Sequence, residues 1–337
     1  MPSPDSLMRT LDRRAGRESA ALHTRIRGLR EVTPDLAYLR LALVNVYFFG
    51  RRGARDREWV LVDAGTPGSA HAIERAARAR FSWGARPSAI VLTHGHFDHV
   101  GALRDLAERW DVPVYAHALE LPYITGQEPY PPADPTVGGG LLALMSPLYP
   151  RGPFDVRRDA RALPDDGRVP GMPGWRWIHT PGHSRGHVSL FRDADRLLIA
   201  GDAFITQQQE SLLAVLGQRV QLHGPPKYFT PDWVRARDSV RALAALDPMV
   251  AATGHGQPLI GEAMRRGLER LAWEFDRLAV PEHGRYVAIE PRGPARALAP
   301  RAPQPAAAAR AGTSTVVLGV AAMAAAGAAA GMLASRH

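Results

Sequence analysis

Apolar and polar positions alternate along the middle of the chain in short runs that predict buried strands. Residues 38–49 (YLRLALVNVYFF) are typical of a long strand or of one arm of a hairpin. Residues 59–65 (WVLVDAG) and 89–94 (AIVLTH) are continuous apolar runs that end at a glycine and at a histidine. Such runs indicate strands that are buried on both faces. Further strands are predicted at 112–117, 175–180, 187–191, 196–202 and 249–256.

Helical periodicity occurs between these strands. Residues 69–81 predict a helix with Ser69 as its N-cap, and residues 100–110 predict another. Residues 230–246 predict a helix with Thr230 as N-cap and Pro231 at its first position, because proline is favoured there. A long amphipathic helix is predicted at 261–280 with an apolar face of Leu268, Leu271, Phe275 and Leu278. Strands and helices mix throughout, which favours two sheets with helices outside over one doubly wound sheet.

Two segments interrupt this pattern. Residues 1–28 are polar and arginine-rich and are predicted to be a loose leader or an appended helix, without the apolar run of a secretory signal. Residues 118–170 are dense in proline, glycine and tyrosine. A connection of that length inside a compact domain predicts a functional loop or lid, with a surface insertion as the alternative.

The composition changes again after residue 290. Residues 291–313 form a proline, alanine and arginine linker that is predicted to be disordered. Residues 314–337 form an apolar tail, in which 316–334 carry no charge and are just long enough to span a bilayer. The alternative is an unstructured tail. If the tail spans, the arginines before it predict that the large domain faces the cytoplasm.

Bulk composition restricts the chemistry. The 337 residues include no cysteine, so a disulfide framework, a thiolate nucleophile and a cysteine zinc site are all excluded. The net charge is +9, but the basic residues are 41 arginines and one lysine, Lys227, spread along the chain and interleaved with acids. Nucleic-acid binding is therefore not expected, since a basic footprint should cluster on one face.

The stretch LTHGHFDHVG, residues 92–101, concentrates ligand-type side chains. His94, His96, Asp98 and His99 lie where a predicted strand runs into a turn before a helix. Two histidines two residues apart in an extended segment point to the same side, and the turn brings the next two side chains to the same space. This arrangement predicts a metal site.

Three more ligand-type residues follow other predicted strands. His183 lies in HTPGHSRGH, Asp202 in LIAGDAF and His255 in ATGHG. Each turn alone is ordinary. Together with the first cluster they give seven imidazole and carboxylate ligands at element ends, which is enough for two metals that share a bridging carboxylate.

The order HxHxDH, His, Asp, His resembles the metallo-β-lactamase-fold hydrolases, over roughly residues 29–290. The resemblance implies an α+β fold, an αββα sandwich of two mixed β-sheets with helices outside. It implies that His94, His96 and His183 hold a first metal and that Asp98, His99 and His255 hold a second. Asp202 would then bridge the two ions.

Two further roles follow from the same resemblance. Asp63 in VDAG would orient a ligand histidine by a hydrogen bond, with a plain turn residue as the alternative. His187, the second histidine of GHSRGH, matches a position that is not usually a ligand.

The resemblance also implies a dinuclear hydrolase whose nucleophile is a hydroxide bridging two divalent ions, with Asp98 as the catalytic proton acceptor. Zinc is the first expectation, with iron or manganese as alternatives. The substrate class is a small-molecule ester, thioester or lactone, as in the glyoxalase-II and lactonase branch. Tyr123, Tyr130, Tyr149 and Lys227 are candidate substrate-binding residues. The alternatives are a mononuclear iron dioxygenase of the persulfide type and a nuclease or phosphodiesterase of the same fold.

Overall fold

A computed structural model describes residues 28–152, 154–156, 160–211 and 221–287. The strands are β1 (Leu29–Thr33), β2 (Leu36–Leu41), β3 (Val44–Phe49), β4 (Val60–Val62), β5 (Ala89–Val91), β6 (Val114–Ala116), β7 (Ala160–Ala162), β8 (Trp175–His179), β9 (Val188–Arg192), β10 (Leu197–Gly201), β11 (Val250–Thr253) and β12 (Leu259–Ile260). The α-helices are α1 (Ala70–Arg80), α2 (Phe97–Val100), α3 (Leu103–Trp110), α4 (Leu121–Ile124), α5 (Leu141–Leu144), α6 (Trp233–Ala245), α7 (Glu262–Trp273) and α8 (Phe275–Leu278). Single 3-10 turns occur at Pro135–Val137, Ser146–Leu148 and Lys227–Phe229.

The first sheet runs in chain order from β1 to β7. Its first half, from β1 to β4, is antiparallel, and residues 38–49 fall on both arms of the β2–β3 hairpin. Its second half is parallel, because α1 and the pair α2 and α3 form crossovers between β4, β5 and β6. The parallel strands β4 and β5 are short and completely buried, as their continuous apolar sequences predict.

The second sheet has the order β12-β11-β10-β9-β8. Its only parallel pairing among the described strands joins β10 to β11, and α6 crosses over between them. The parallel strand ends of the two sheets point toward the same region, where the turns after β5, β10 and β11 meet.

The two sheets pack face to face, which confirms the predicted αββα sandwich. Side chains from both sheets interdigitate in a central core that includes Tyr47, Val62 and Leu190. Helices α1 and α3 cover the outer face of the first sheet, and α6, α7 and α8 cover the outer face of the second. Burial of apolar surface in these three layers supplies the main stabilisation of the fold.

Two helix starts differ from the sequence prediction. Ser69 precedes α1 as predicted, but its hydroxyl donates to the Thr66 carbonyl at 2.7 Å and makes no cap hydrogen bond. Helix α6 starts at Trp233, with Asp232 accepting from the Arg235 amide, so the prediction of Thr230 as its N-cap was wrong. A carboxylate two residues nearer the helix fills that role.

The helix predicted at 261–280 is interrupted. It forms α7 and α8 with a break at Glu274. Leu268, Leu271 and Phe275 are nevertheless buried in one cluster, and Leu278 is partly buried against it. The apolar period continues across the break, so the pattern of side chains does not reveal it.

The interval 118–170 is compact rather than extended in the residues that the structure describes. It forms α4, α5 and two 3-10 turns, and it ends in β7 at the edge of the first sheet. Its side chains Ala133, Val137, Ala143 and Tyr149 form a small apolar cluster with residues beside the histidine-rich turn.

Several predicted segments lie outside the described residues, namely the leader before residue 28, the linker 291–313 and the candidate span 316–334. Within the ranges given above, no helix has the length and apolar character needed to cross a bilayer.

Candidate metal centre

The first ligand cluster occupies the turn between β5 and α2. His94 and His96 lie in the extended part of this turn, and Asp98 and His99 lie in the first turn of α2. His96 has an extended backbone at the start of the helix, and its carbonyl accepts from the His99 amide at 2.8 Å. All four side chains are buried, with 0 to 7% of each residue exposed.

The other three residues follow strands of the second sheet. His183 lies in the turn between β8 and β9, Asp202 directly follows β10, and His255 follows β11. Each is at most 2% exposed. The site is therefore assembled from the facing ends of both sheets.

These residues form two triads around one carboxylate. His94, His96 and His183 form one triad, and Asp98, His99 and His255 form the other; a third group of close ligand atoms, from His94, His99 and Asp202, joins the two. Within each triad the candidate ligand atoms lie within 4.8 Å of one another. Asp202 Oδ2 lies 3.4 Å from His183 Nε2 and 3.0 Å from His255 Nε2, so it contacts a member of each triad.

The arrangement fits a metal ion. Nε2 of His94, Nε2 of His99 and Oδ1 of Asp202 are buried without a hydrogen-bond partner in the described part of the chain. Buried polar atoms without partners are costly, and an ion would satisfy them. The neighbouring Gly254 keeps the space open, because a Cβ there would meet Asp202 Oδ1 and His99 Cε1.

Electrostatics favours the ligating form of the first triad. Burial lowers the pKa of His94 and His183 well below the ordinary value and that of His96 to about 3, so these imidazoles are neutral. Burial alone would raise the pKa of Asp202, but the nearby His255 and His99 hold it well below its usual range. Neutral imidazoles and an ionised carboxylate are the forms that bind metals.

Outer hydrogen bonds fix the ligand rings. The carboxylate of Asp63, which was predicted to orient a histidine, lies 2.8 Å from His99 Nδ1. It also accepts hydrogen bonds from the amide and the hydroxyl of Thr93. Asp63 has a left-handed backbone with a φ of 62°. That strained conformation aims its carboxylate at the turn after β5.

Two more ligands have such partners. His255 Nδ1 faces the Leu43 carbonyl, and His183 Nδ1 lies 3.2 Å from the Thr230 hydroxyl. The hydroxyl that was predicted as a helix cap therefore contacts the site. Such contacts set which ring nitrogen remains available to an ion.

His187 is buried beside the centre but its ring is already engaged. Nε2 accepts from the Asp202 amide at 2.9 Å, and Nδ1 lies 3.1 Å from the Thr180 carbonyl. Both ring nitrogens thus have partners within the protein.

Sequence reasoning missed Glu120. This residue is completely buried and accepts hydrogen bonds from the turns that carry His96 and His183. Burial raises the pKa of Glu120, and its hydrogen bonds oppose the rise. No local sequence pattern marks it, because its partners lie 10 to 66 positions away along the chain.

A narrow cleft opens beside the first triad, with a free volume of about 10 Å³, which is room for about one water molecule. It is lined by His96, His183, Ser184, Arg185, Phe229 and Pro231, together with Tyr123, Tyr130, Pro131, Pro132 and Tyr286. The Arg185 side chain is 63% exposed at the mouth. The wall is thus mostly aromatic rings and prolines, with one guanidinium at the entrance.

The four candidate substrate residues have different surroundings. Tyr123 and Tyr130 line the cleft, but the Tyr130 hydroxyl donates to Glu120. The Tyr149 hydroxyl donates to the Leu142 carbonyl at 2.9 Å, and Lys227 is partly buried in a 3-10 turn. Neither Tyr149 nor Lys227 is among the described residues that line the cleft.

Comparison with known proteins places this geometry in a family. The sequence model described as "Metallo-beta-lactamase superfamily" matches residues 39–255. The chain is 50% identical over 234 residues to the "Probable metallo-hydrolase YflN" of Bacillus subtilis (strain 168), which covers 69% of this chain and 88% of that protein.

Two further similarities are weaker. The "Probable metallo-hydrolase YybB" of the same organism is 33% identical over 200 residues, covering 59% of this chain and 76% of that protein. A solved beta-lactamase domain protein from Burkholderia ambifaria has a TM-score of 0.51 at 21% identity, covering 74% of this chain and 76% of that one. This structural likeness supports the fold.

Proposed function

Because the chain belongs to the metallo-beta-lactamase superfamily and is a metal-dependent hydrolase, we propose that it uses two divalent ions to hydrolyse a small carboxylic ester, thioester or lactone. One observation carries the dinuclear part of this proposal. The single carboxylate of Asp202 lies within 3.4 Å of a histidine from each of two complete ligand triads. A site built for one ion would need only one triad.

The residues that would hold the ions are those of the two triads and Asp202. All the donors are imidazoles and carboxylates, which suit zinc and also iron or manganese. When bound, such ions would lower the pKa of water toward neutrality and polarise a carbonyl group.

Asp98 is the proposed proton acceptor. It is buried, with 7% of the residue exposed, and its Oδ2 lies 3.5 Å from His255 Nε2 in the second triad. Burial raises the pKa of its carboxyl group. A carboxyl group with a raised pKa is a better base than an ordinary aspartate, and it can return the proton to a leaving group.

The cleft supports an apolar acyl group as the part of the substrate bound beside His96 and His183. The Phe229 ring stacks on the His96 ring at 4.7 Å, and Tyr123 stacks on Tyr130 at 4.0 Å. These rings exclude water from the reacting carbonyl. The polypeptide of 118–170 supplies much of this wall, which supports its proposed role as a lid.

The wall is closed from the other side by the segment after α8. The Tyr286 hydroxyl donates to the Pro132 carbonyl at 2.6 Å, and the Arg285 amide donates to Asp134. These bonds tie the lid to the chain segment that follows α8. The cleft is therefore narrow, which favours small substrates.

The test measures metal content and hydrolysis together. The full chain would be purified, analysed for its metal content and oxygen consumption as purified, and then loaded with zinc and assayed against thioesters, lactones and phosphodiesters. His96→Ala removes a member of the first triad and His255→Ala a member of the second. His71→Ala is the matched control, since that side chain is 74% exposed and far from the site in the fold.

The expected result is two ions per chain in the wild type and in His71→Ala, with hydrolysis of a carboxylic substrate. Each site variant should lose one ion and nearly all activity. One iron per chain with oxygen consumption would instead identify a dioxygenase. Hydrolysis confined to phosphodiesters would overturn the proposed substrate class.

A further inference from the structure

Glu120 joins the two turns that supply the first triad. It follows β6 and precedes α4, and none of its surface is exposed. His94 and His96 reach the site on a turn of the first sheet, whereas His183 reaches it on a turn of the second. No strand pairing among the described residues connects these two turns. The Val188 amide donates to the Thr93 carbonyl at 2.9 Å beside them, and side-chain contacts must fix the rest of their separation.

Each carboxylate oxygen of Glu120 serves one turn. Oε2 accepts from the Gly95 amide at 3.0 Å, between His94 and His96. Oε1 accepts from the Ser184 hydroxyl at 2.7 Å and from the Gly186 amide at 2.8 Å, directly after His183. The carboxylate therefore spans the gap between the turns.

Tyr130 adds a fourth donor and extends the link to the cleft. Its hydroxyl donates to Oε2 of Glu120 and accepts from the Gly95 amide at 2.8 Å. Its ring lies 4.4 Å from the ring of His96. Four donors on a buried carboxylate offset much of the cost of removing its charge from water.

The two glycines are required by space. A Cβ on Gly95 would lie 2.7 Å from Ile124 and 2.8 Å from the Tyr130 hydroxyl, and one on Gly186 would lie 2.8 Å from the Glu120 amide. Neither glycine has a left-handed backbone, so a larger residue would be excluded by contact alone. Both turns thus place bare backbone against one carboxylate.

We propose that Glu120 is a positioning residue that holds His96 and His183 at the separation the first ion requires. It acts through the Gly95 and Gly186 amides and through Ser184 and Tyr130. Nδ1 of His96 and Nε2 of His183 are 2.9 Å apart, so a small shift of either turn changes the triad. This proposal rests on the proposed function only in requiring that the first triad binds an ion.

The test is a Co²⁺ titration of the metal-free full chain, followed by the visible spectrum of the bound ion. Glu120→Gln keeps the size of the side chain but presents an NH₂ group to one of the donors. We expect Co²⁺ affinity at the first triad to fall about 10- to 100-fold, as for other groups that support ligands. Affinity at the second triad should be unchanged. His96→Ala identifies which binding step belongs to the first triad.

A control separates positioning from general stability. Glu31 is another largely buried carboxylate, paired with Arg80 at 2.6 Å on the far side of the first sheet. Glu31→Gln should lower the denaturation midpoint of the metal-free chain and leave both Co²⁺ affinities and the spectrum unaltered. Glu120→Gln should change the ratio of the Co²⁺ affinities of the two triads, whatever its effect on the denaturation midpoint.

Two milder variants cover failure of Glu120→Gln to fold. Tyr130→Phe and Ser184→Ala each remove one donor, and both should weaken the first triad by less than Glu120→Gln does. Wild-type affinity and spectrum in Glu120→Gln, or in both milder variants, would overturn the proposal. A wild-type chain that binds one ion, lost in His96→Ala, would overturn the dinuclear function and still leave the role of Glu120 testable.

Discussion

The Asp63→Asn substitution tests whether a hydrogen bond selects the ligating nitrogen of His99. Asp63 Oδ2 lies 2.8 Å from His99 Nδ1, and Oδ1 accepts from the Thr93 amide at 2.8 Å. A carboxylate accepts only, so His99 carries its proton on Nδ1 and offers Nε2 to an ion. Asparagine is chosen because it tolerates the left-handed backbone of residue 63, which alanine does not.

The size of the effect follows from the two ways the new amide can sit. If the NH₂ group of the new amide faces His99, Nδ1 of the imidazole must accept the hydrogen bond. The imidazole proton then moves to Nε2, the nitrogen that should bind the metal. If its NH₂ group faces the Thr93 amide, two donors meet in a buried place, which costs about 1 to 3 kcal/mol. We expect metal affinity at the second triad to fall about 10- to 100-fold, or about 1.4 to 2.8 kcal/mol.

The assay is competition of the metal-free chain with a chelator of known affinity, beside guanidinium unfolding. Asp35→Asn is the matched control, because Asp35 also accepts two hydrogen bonds from one partner, Arg192, but lies outside the site. It should leave metal affinity unchanged. Equal affinity at the second triad in Asp63→Asn and the wild type would refute the reasoning.

Three further predictions concern the site, pH and the core. Gly254→Ala should abolish metal binding while the chain stays folded, because the new Cβ would collide with Asp202 Oδ1. Metal analysis measures the binding, and circular dichroism measures the folding. Burial alone would raise the pKa of Asp35, but the hydrogen bond from Arg192 lowers it. Its stabilisation is therefore present above the unfolded pKa of about 3.9 and is lost as the pH falls through the lower folded value. The free energy of unfolding, measured with a metal chelator present, should therefore decrease less between pH 7 and pH 3 in Asp35→Asn than in the wild type. Equal decreases in the two proteins would contradict this. Phe275→Ala removes a completely buried ring and should cost about 3 to 5 kcal/mol in guanidinium unfolding.

The layer arrangement could be predicted because apolar runs and helical periods are local properties of the sequence. The runs at 59–65 and 89–94 become the buried strands β4 and β5. The start of α6 could not be predicted as easily, because Thr230 and Asp232 are both good caps. Only the fold shows that the Thr230 hydroxyl donates a hydrogen bond to the Pro226 carbonyl and lies beside His183 Nδ1.

The candidate ligands were identifiable because four of them occupy six consecutive positions and the rest follow strand ends. Glu120 was not, since a glutamate after a short strand is ordinary until its burial is known. The tyrosines show the same limit. Their residue type suggested free hydroxyls, whereas the fold directs those of Tyr130 and Tyr149 to Glu120 and Leu142, ten and seven positions away.

The placement of the triads on both sheets has a consequence for the lifetime of the folded chain. The chain has no cysteine and so no disulfide. An ion bound by both His99 and His255 would close a loop of about 160 residues, and cross-linking such a loop is worth about 5 kcal/mol in the chain-entropy treatment of disulfides. The bound ion would then act as a reversible cross-link between the two sheets of the sandwich. The resistance of the folded chain to proteolysis would depend on the concentration of available metal and not on the redox state of the surroundings.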